Sequence, residues 1–161
     1  MAEFMTLMTD AEFEALIDRN SPSLGKGGSR LVHAALGRDD LVIKESLQPF
    51  PSGNFTEWTV WNAVEKMAED IMGNQQNTDL LTLFARCFSI SQNGRYLMME
   101  RLLPLEPTDR VPMTKFPQWL TDKKPNAFGR TAEGQIKVLD YGLINFYLAL
   151  NPKNRNGNSI Y

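Results

Sequence analysis

The sequence predicts an α+β fold, an antiparallel five-stranded sheet with one long packed helix. Three observations carry that prediction. Two hairpin connections follow one another before residue 50, an Asn-Gly pair at 93–94 marks a third, and between them runs one long stretch with helical apolar spacing. The 161 residues suffice for one compact domain with a sizeable core. Apolar residues at 42% and charged residues at 22% argue against disorder over the whole chain.

The first element is a helix over Asp10–Asp18, where Thr9 and Glu12 fit a capping box and Phe13, Leu16 and Ile17 make an apolar stripe. Asn20-Ser-Pro-Ser23 ends it. Strand-like sequence follows: Leu24, the cluster Gly25-Lys-Gly-Gly28, then Ser29–Leu36. Gly37–Asp40 reads as a turn and Leu41–Ser46 as the next strand. The loop Gln48–Gly53 leads into a helix over Asn54–Met72, in which Trp58, Trp61, Val64, Met67, Ala68 and Ile71 recur every three or four residues. A short helix over Asp79–Arg86 precedes a hairpin of Phe88–Ser91 and Arg95–Glu100.

The character of the chain changes at Leu102. Pro104, Pro107, Pro112, Pro117 and Pro125 leave room for a turn or two of helix, around Lys115–Leu120. Ala127-Phe128 and Ile136–Leu139 form another hairpin across Glu133-Gly134. Leu143–Leu150 is a last apolar, helix-like segment, and residues 151–161 read as a flexible tail.

A formal charge of −2 gives no overall attraction to nucleic acid or anionic lipid, so neither is an expected partner. A single cysteine, Cys87, excludes an intrachain disulfide, and a single histidine, His33, excludes a multi-histidine metal site. Both suit a reducing cytoplasm, the expected location. No apolar run approaches a membrane span, and the start Met-Ala-Glu-Phe-Met lacks a signal-peptide core.

Four features bear on chemistry. Gly25–Gly28 would expose backbone N–H groups to an anion, although a tight hairpin is the plainer use of such glycines. Lys44 lies within an apolar strand and needs a partner or an edge position. Glu57 and Glu65, both on the long helix, are the candidate partners. Asp140 ends a strand before Tyr141-Gly142, a place suited to holding Mg²⁺ and equally common for a turn residue.

In this order the motifs resemble the protein-kinase superfamily. Leu24-Gly-Lys-Gly-Gly-Ser-Arg-Leu-Val32 is similar to the glycine-rich loop, with Gly25 and Gly27 on its first two glycines, Arg30 on the third and Val32 on its valine. Leu41-Val-Ile-Lys44 resembles the strand of the nucleotide-binding lysine, and Glu57 matches its helix glutamate. Tyr96–Leu102 is similar to the strand entering the hinge, Thr121–Gly129 to the catalytic loop, and Ile136–Gly142 to the metal-binding motif with Tyr in place of Phe. The resemblance implies ATP and Mg²⁺ as cofactors. Gly25, Gly27 and Val32 would cover the nucleotide, Lys44 would bind the α- and β-phosphates, and Glu57 would orient Lys44. Glu100 to Leu102 would present backbone groups to adenine, Asp122 would act as base, and Asp140 and Asn126 would ligate the metal.

The implied fold is a kinase-like small lobe over 24–102 plus a short remnant of the large lobe over 112–142, all in one domain over 1–150. Only 22 residues separate Glu100 from Asp122, Asp122 and Asn126 stand four apart instead of five, and 19 residues follow Gly142. These departures leave two functions open. One is an ATP-binding minimal kinase-like protein of serine/threonine type, its activity dependent on a partner or a second copy that covers the missing lobe. The other is a non-catalytic pseudokinase acting as an interaction or inhibitory module. Trp119, Phe146, Tyr147 and Leu148 are candidates for uncovered apolar surface and equally for folded core.

Overall fold

The structure is a computed structural model that describes residues 7–69 and 80–150. Its elements are α1 (Asp10–Leu16), β1 (Gly25–Lys26), β2 (Arg30–Ala35), β3 (Arg38–Ser46), α2 (Ser52–Glu69), β4 (Cys87–Ile90), β5 (Tyr96–Glu100), β6 (Phe128–Arg130), β7 (Ile136–Val138) and α3 (Phe146–Leu150). Strands β1 to β5 form one sheet in the order β1-β2-β3-β5-β4, with every neighbouring pair antiparallel. β6 and β7 make a separate hairpin. The fold is therefore α+β. No described helix is long and apolar enough to cross a membrane.

The chain divides into two compact units. The first comprises the described part of Met1–Trp58 with Arg86–Arg101, the second the described parts of Thr59–Ala85 and Leu102–Tyr161. Within the second unit, backbone pairing joins the two stretches of chain. Val138 donates to the Leu83 carbonyl at 2.8 Å and Ala85 donates to the Val138 carbonyl at 2.9 Å, which ties 83–85 to β7.

In the first unit the sheet has two differently used faces. On one face α1 packs its Phe13 and Ile17 against Ala35, Leu41, Ile43, Tyr96 and Met98, with Phe13 stacked on the Tyr96 ring at 5.7 Å. Thr9 and Glu12 form the capping box. The helix stops at Leu16, two residues before the expected Asp18, because Ile17 turns extended and bridges Ala35. At the end of this face the Glu45 carboxylate is held by His33 Nε2 and Arg95 Nη2, each at 2.8 Å.

The β2–β3 hairpin differs from expectation in the place of its turn. Its turn is Leu36-Gly37, not Gly37–Asp40, because Gly37 takes a left-handed φ of 69° and lets Arg38–Asp40 join β3. Helix α2 starts at Ser52 instead of Asn54, since the Pro51 carbonyl already accepts from the Phe55 N–H at 3.1 Å. Trp61 and Val64 of its apolar stripe are buried, while Ile71 lies outside the described residues. The helix expected over Asp79–Arg86 falls partly outside them too, and its described part ends in a turn at Thr82-Leu83.

The second unit has a core of its own. Trp119, a candidate for uncovered surface or for folded core, is fully buried, its ring stacked on Phe84 at 5.8 Å, and Phe84 meets Tyr141 edge-on at 5.0 Å. Phe116 packs edge-on against Phe128 at 5.1 Å. The helical turn expected over Lys115–Leu120 is instead a 3-10 turn at Met113–Lys115, and Leu120 bridges Ile144. Phe146 and Tyr147 on α3 are exposed and Leu148 is half-buried.

Candidate functional site

Strand pairing sets the site. Gly25 lies opposite Val32, Val32 opposite Lys44, and Lys44 opposite Leu97, so these four residues form one row across the sheet. Cross-strand partners share a face, and alternation along β2 puts Arg30 on the same face as Val32. That face is opposite the one α1 covers. The first two turns of α2 lie over it, bringing Asn54 and Glu57 to Arg30 and Lys44.

Glu57 is the partner of Lys44. The Lys44 ammonium donates to both carboxylate oxygens, at 3.1 Å to Oε1 and 3.0 Å to Oε2. Arg30 adds a second cation, its Nη1 donating to Oε2 at 2.6 Å and its Nη2 to Oε1 at 3.0 Å. Side-chain exposure is 12% for Arg30, 5% for Lys44 and 0% for Glu57, so all three charges sit in low dielectric. Burial pushes the Glu57 carboxyl up, but the charges of Lys44 and Arg30 and their hydrogen bonds outweigh it and hold the group down at about 2.

Asn54 fixes the frame around this cluster. Fully buried, it donates through Nδ2 to the carbonyls of Lys44, Gly94 and Arg95 at 3.3, 3.0 and 2.9 Å. Its Oδ1 accepts from Arg30 Nη1 at 3.4 Å. One side chain thereby joins α2, β3 and the β4–β5 turn. Neither this role nor the ion pair of Arg30 is among the sequence expectations.

The glycine segment is open. Gly27 donates to the Arg30 carbonyl at 2.9 Å, closing the β1–β2 turn. The left-handed glycines are Gly37, Gly94 and Gly134, so Gly25, Gly27 and Gly28 are not there for a positive φ. A Cβ at Gly28 would meet nothing within 4 Å, and one at Gly27 only the Arg30 carbonyl at 3.9 Å. The turn itself does not explain two glycines there.

Of the three residues expected to face adenine, two have their N–H groups committed to the fold. Glu100 donates to the Arg86 carbonyl and Arg101 to the Asp40 carbonyl, each at 2.8 Å. Leu102 is the third.

The expected loop residues lie in the second unit. The Ala127 carbonyl accepts from Leu139 at 2.8 Å and from Asp140 at 3.2 Å, which sets the segment bearing Asn126 beside Asp140. Asn126 is exposed in a 3-10 turn over Pro125–Ala127, and Asp140 is half-buried two residues past β7, so it does not end the strand as expected. A carboxylate and an amide oxygen suit a hard cation that takes its remaining ligands from phosphate and water. No group of three or more His, Cys, Asp or Glu among the described residues is placed to hold a metal by itself. Asp122 accepts the Lys124 N–H at 3.2 Å. Tyr141, where the resembling motif has Phe, is buried and donates its hydroxyl to the Ala85 carbonyl at 2.7 Å. No protein-family model and no curated protein matches this chain.

Proposed function

We propose that this chain is an ATP-binding, kinase-like protein, with Mg²⁺ as its metal and a phosphotransferase activity that depends on a partner. The observation that supports it best is Lys44, buried within a sheet on the Glu57 carboxylate and in one row with Val32 and Gly25. A buried lysine is costly unless its charge has a use or a full partner. The two buried cations and the open turn at Gly27-Gly28 both favour a polyphosphate. In this reading Lys44 binds the α- and β-phosphates, and Asp140 with Asn126 holds Mg²⁺, which neutralises phosphate charge. Asp122 takes the proton of the acceptor hydroxyl as its oxygen bonds to the γ-phosphorus and the bond to ADP breaks.

Calorimetric titration of ATP with and without Mg²⁺, on wild type, Lys44→Met and Asp140→Asn, tests the proposal. Mg²⁺-dependent binding that D140N loses supports it. Folded wild type that binds no ATP turns the reading to the non-catalytic alternative, an interaction module. Exposed Leu143, Phe146 and Tyr147 are the feature that favours that alternative.

A further inference from the structure

The two cations on Glu57 hold it in different ways. Arg30 uses a separate nitrogen for each oxygen, whereas Lys44 spans both oxygens with one. A guanidinium fork with two parallel bonds is fixed in direction, while an ammonium on a four-carbon stem is a point charge that can swing. The surroundings of Arg30 add to this difference. Asn54 Oδ1 accepts from its Nη1, and its guanidinium lies against the start of α2, where a Cβ on Gly53 would come within 3.4 Å of Cζ. Its carbonyl is tied to the glycine turn through Gly27.

A buried carboxylate with one partner gives that partner up only at the cost of a stranded charge. With Arg30 in place, Lys44 can turn to an anion while Glu57 keeps a bidentate counter-ion. The geometry points to Arg30 as a positioning residue: it is the standing counter-ion of Glu57, and it leaves Lys44 as the cation delivered to phosphate. The resemblance has a glycine at this position and the lysine as the glutamate's partner, so this division of labour belongs to the present chain. The phosphate half of the inference rests on the nucleotide reading above. The counter-ion half does not.

Two matrices on the full chain test it. In urea unfolding, Lys44→Met should shift the midpoint about threefold further in an Arg30→Met background than in wild type, because only the double variant strands Glu57. If R30M/K44M does not fold, adding Glu57→Gln should restore folding by removing the stranded carboxylate. Additive midpoint shifts, or no restoration by E57Q, overturn the counter-ion role. In calorimetry with Mg²⁺-ATP, R30M should bind about tenfold more weakly, since Lys44 is then held on Glu57, and E57Q/R30M should recover most of that loss. A merely structural role for Arg30 gives no such recovery. Wild-type affinity in R30M, or no recovery in E57Q/R30M, overturns the delivery role. Wild type that binds no ATP refutes the nucleotide reading alone, and the urea matrix then decides the counter-ion role by itself.

Discussion

Acid should dismantle the first unit through Glu57, and the size of the effect follows from its surroundings. The carboxyl sits at about 2 in the folded chain against an ordinary 4.5. Between those values the unfolded chain binds the proton that the native one refuses, so stability rises with pH there. The contribution is fully present above 4.5 and drains away as pH falls toward 2. At roughly 1.4 kcal/mol per pH unit the difference amounts to about 3 kcal/mol, undiscounted because the group is fully buried. Glu57→Gln removes this component and leaves Lys44 and Arg30 facing a neutral amide, which should cost about 3–5 kcal/mol at pH 7. The assay is urea unfolding at a series of pH values from 7 down to 2.5. Wild type should lose about 3 kcal/mol more than E57Q over the acid limb, since the other carboxylates titrate alike in both. Equal acid limbs would refute the reasoning, as would E57Q as stable as wild type at neutral pH.

Four further expectations follow from single residues. Asn54→Ala strips the hydrogen bonds from three carbonyls and should cost about 2–3 kcal/mol by urea unfolding, a cost under 1 kcal/mol counting against the joining role. Gly94→Ala should destabilise by about 2 kcal/mol or more, because φ is 78° and a Cβ would sit 2.6 Å from the Phe55 ring. Gly27→Ala should leave stability within about 0.5 kcal/mol, and under the nucleotide reading it should still weaken ATP in calorimetry. Tyr141→Phe should cost about 1–2 kcal/mol in the second unit by leaving the Ala85 carbonyl unpaired, and an unchanged thermal midpoint would speak against that hydrogen bond.

What the sequence made legible was local. The strands were readable because their turns carry their own chemistry: Gly37 and Gly94 both take the left-handed conformation that their hairpins need. Leu41-Val-Ile marks Lys44 as a cation that needs a partner or an edge position, and the helix that follows offers Glu57 and Glu65 as that partner. Arg30 was noted only as a departure from a glycine pattern. Its true position was available from period two, since two residues along β2 return to the face of Val32 and hence of Lys44. The role of Asn54 is out of reach, because the acceptors of its Nδ2 lie up to 41 residues away and are main-chain carbonyls without a side-chain signature. The burial of Trp119 is out of reach for a similar reason. Its ring stacks on Phe84, which meets Tyr141, and long-range pairing brings these rings together, 83–85 with β7 and Trp119-Leu120 with Ile144-Asn145.

The spacing of these contacts along the chain also bears on how the first unit folds. Lys44 and Glu57 are 13 residues apart and Arg30 and Glu57 are 27, whereas Asn54 reaches Arg95 across 41. The β2–β3 hairpin and the start of α2 can therefore meet over short loops, while the docking of β5 beside β3 must close the long one. By that spacing the charge cluster is expected to form in the early, local half of folding, with Asn54 as the latch that registers the late half. Substitutions at Asn54 should then act chiefly on the rate at which the sheet opens, and substitutions at Glu57 on the rate at which it forms.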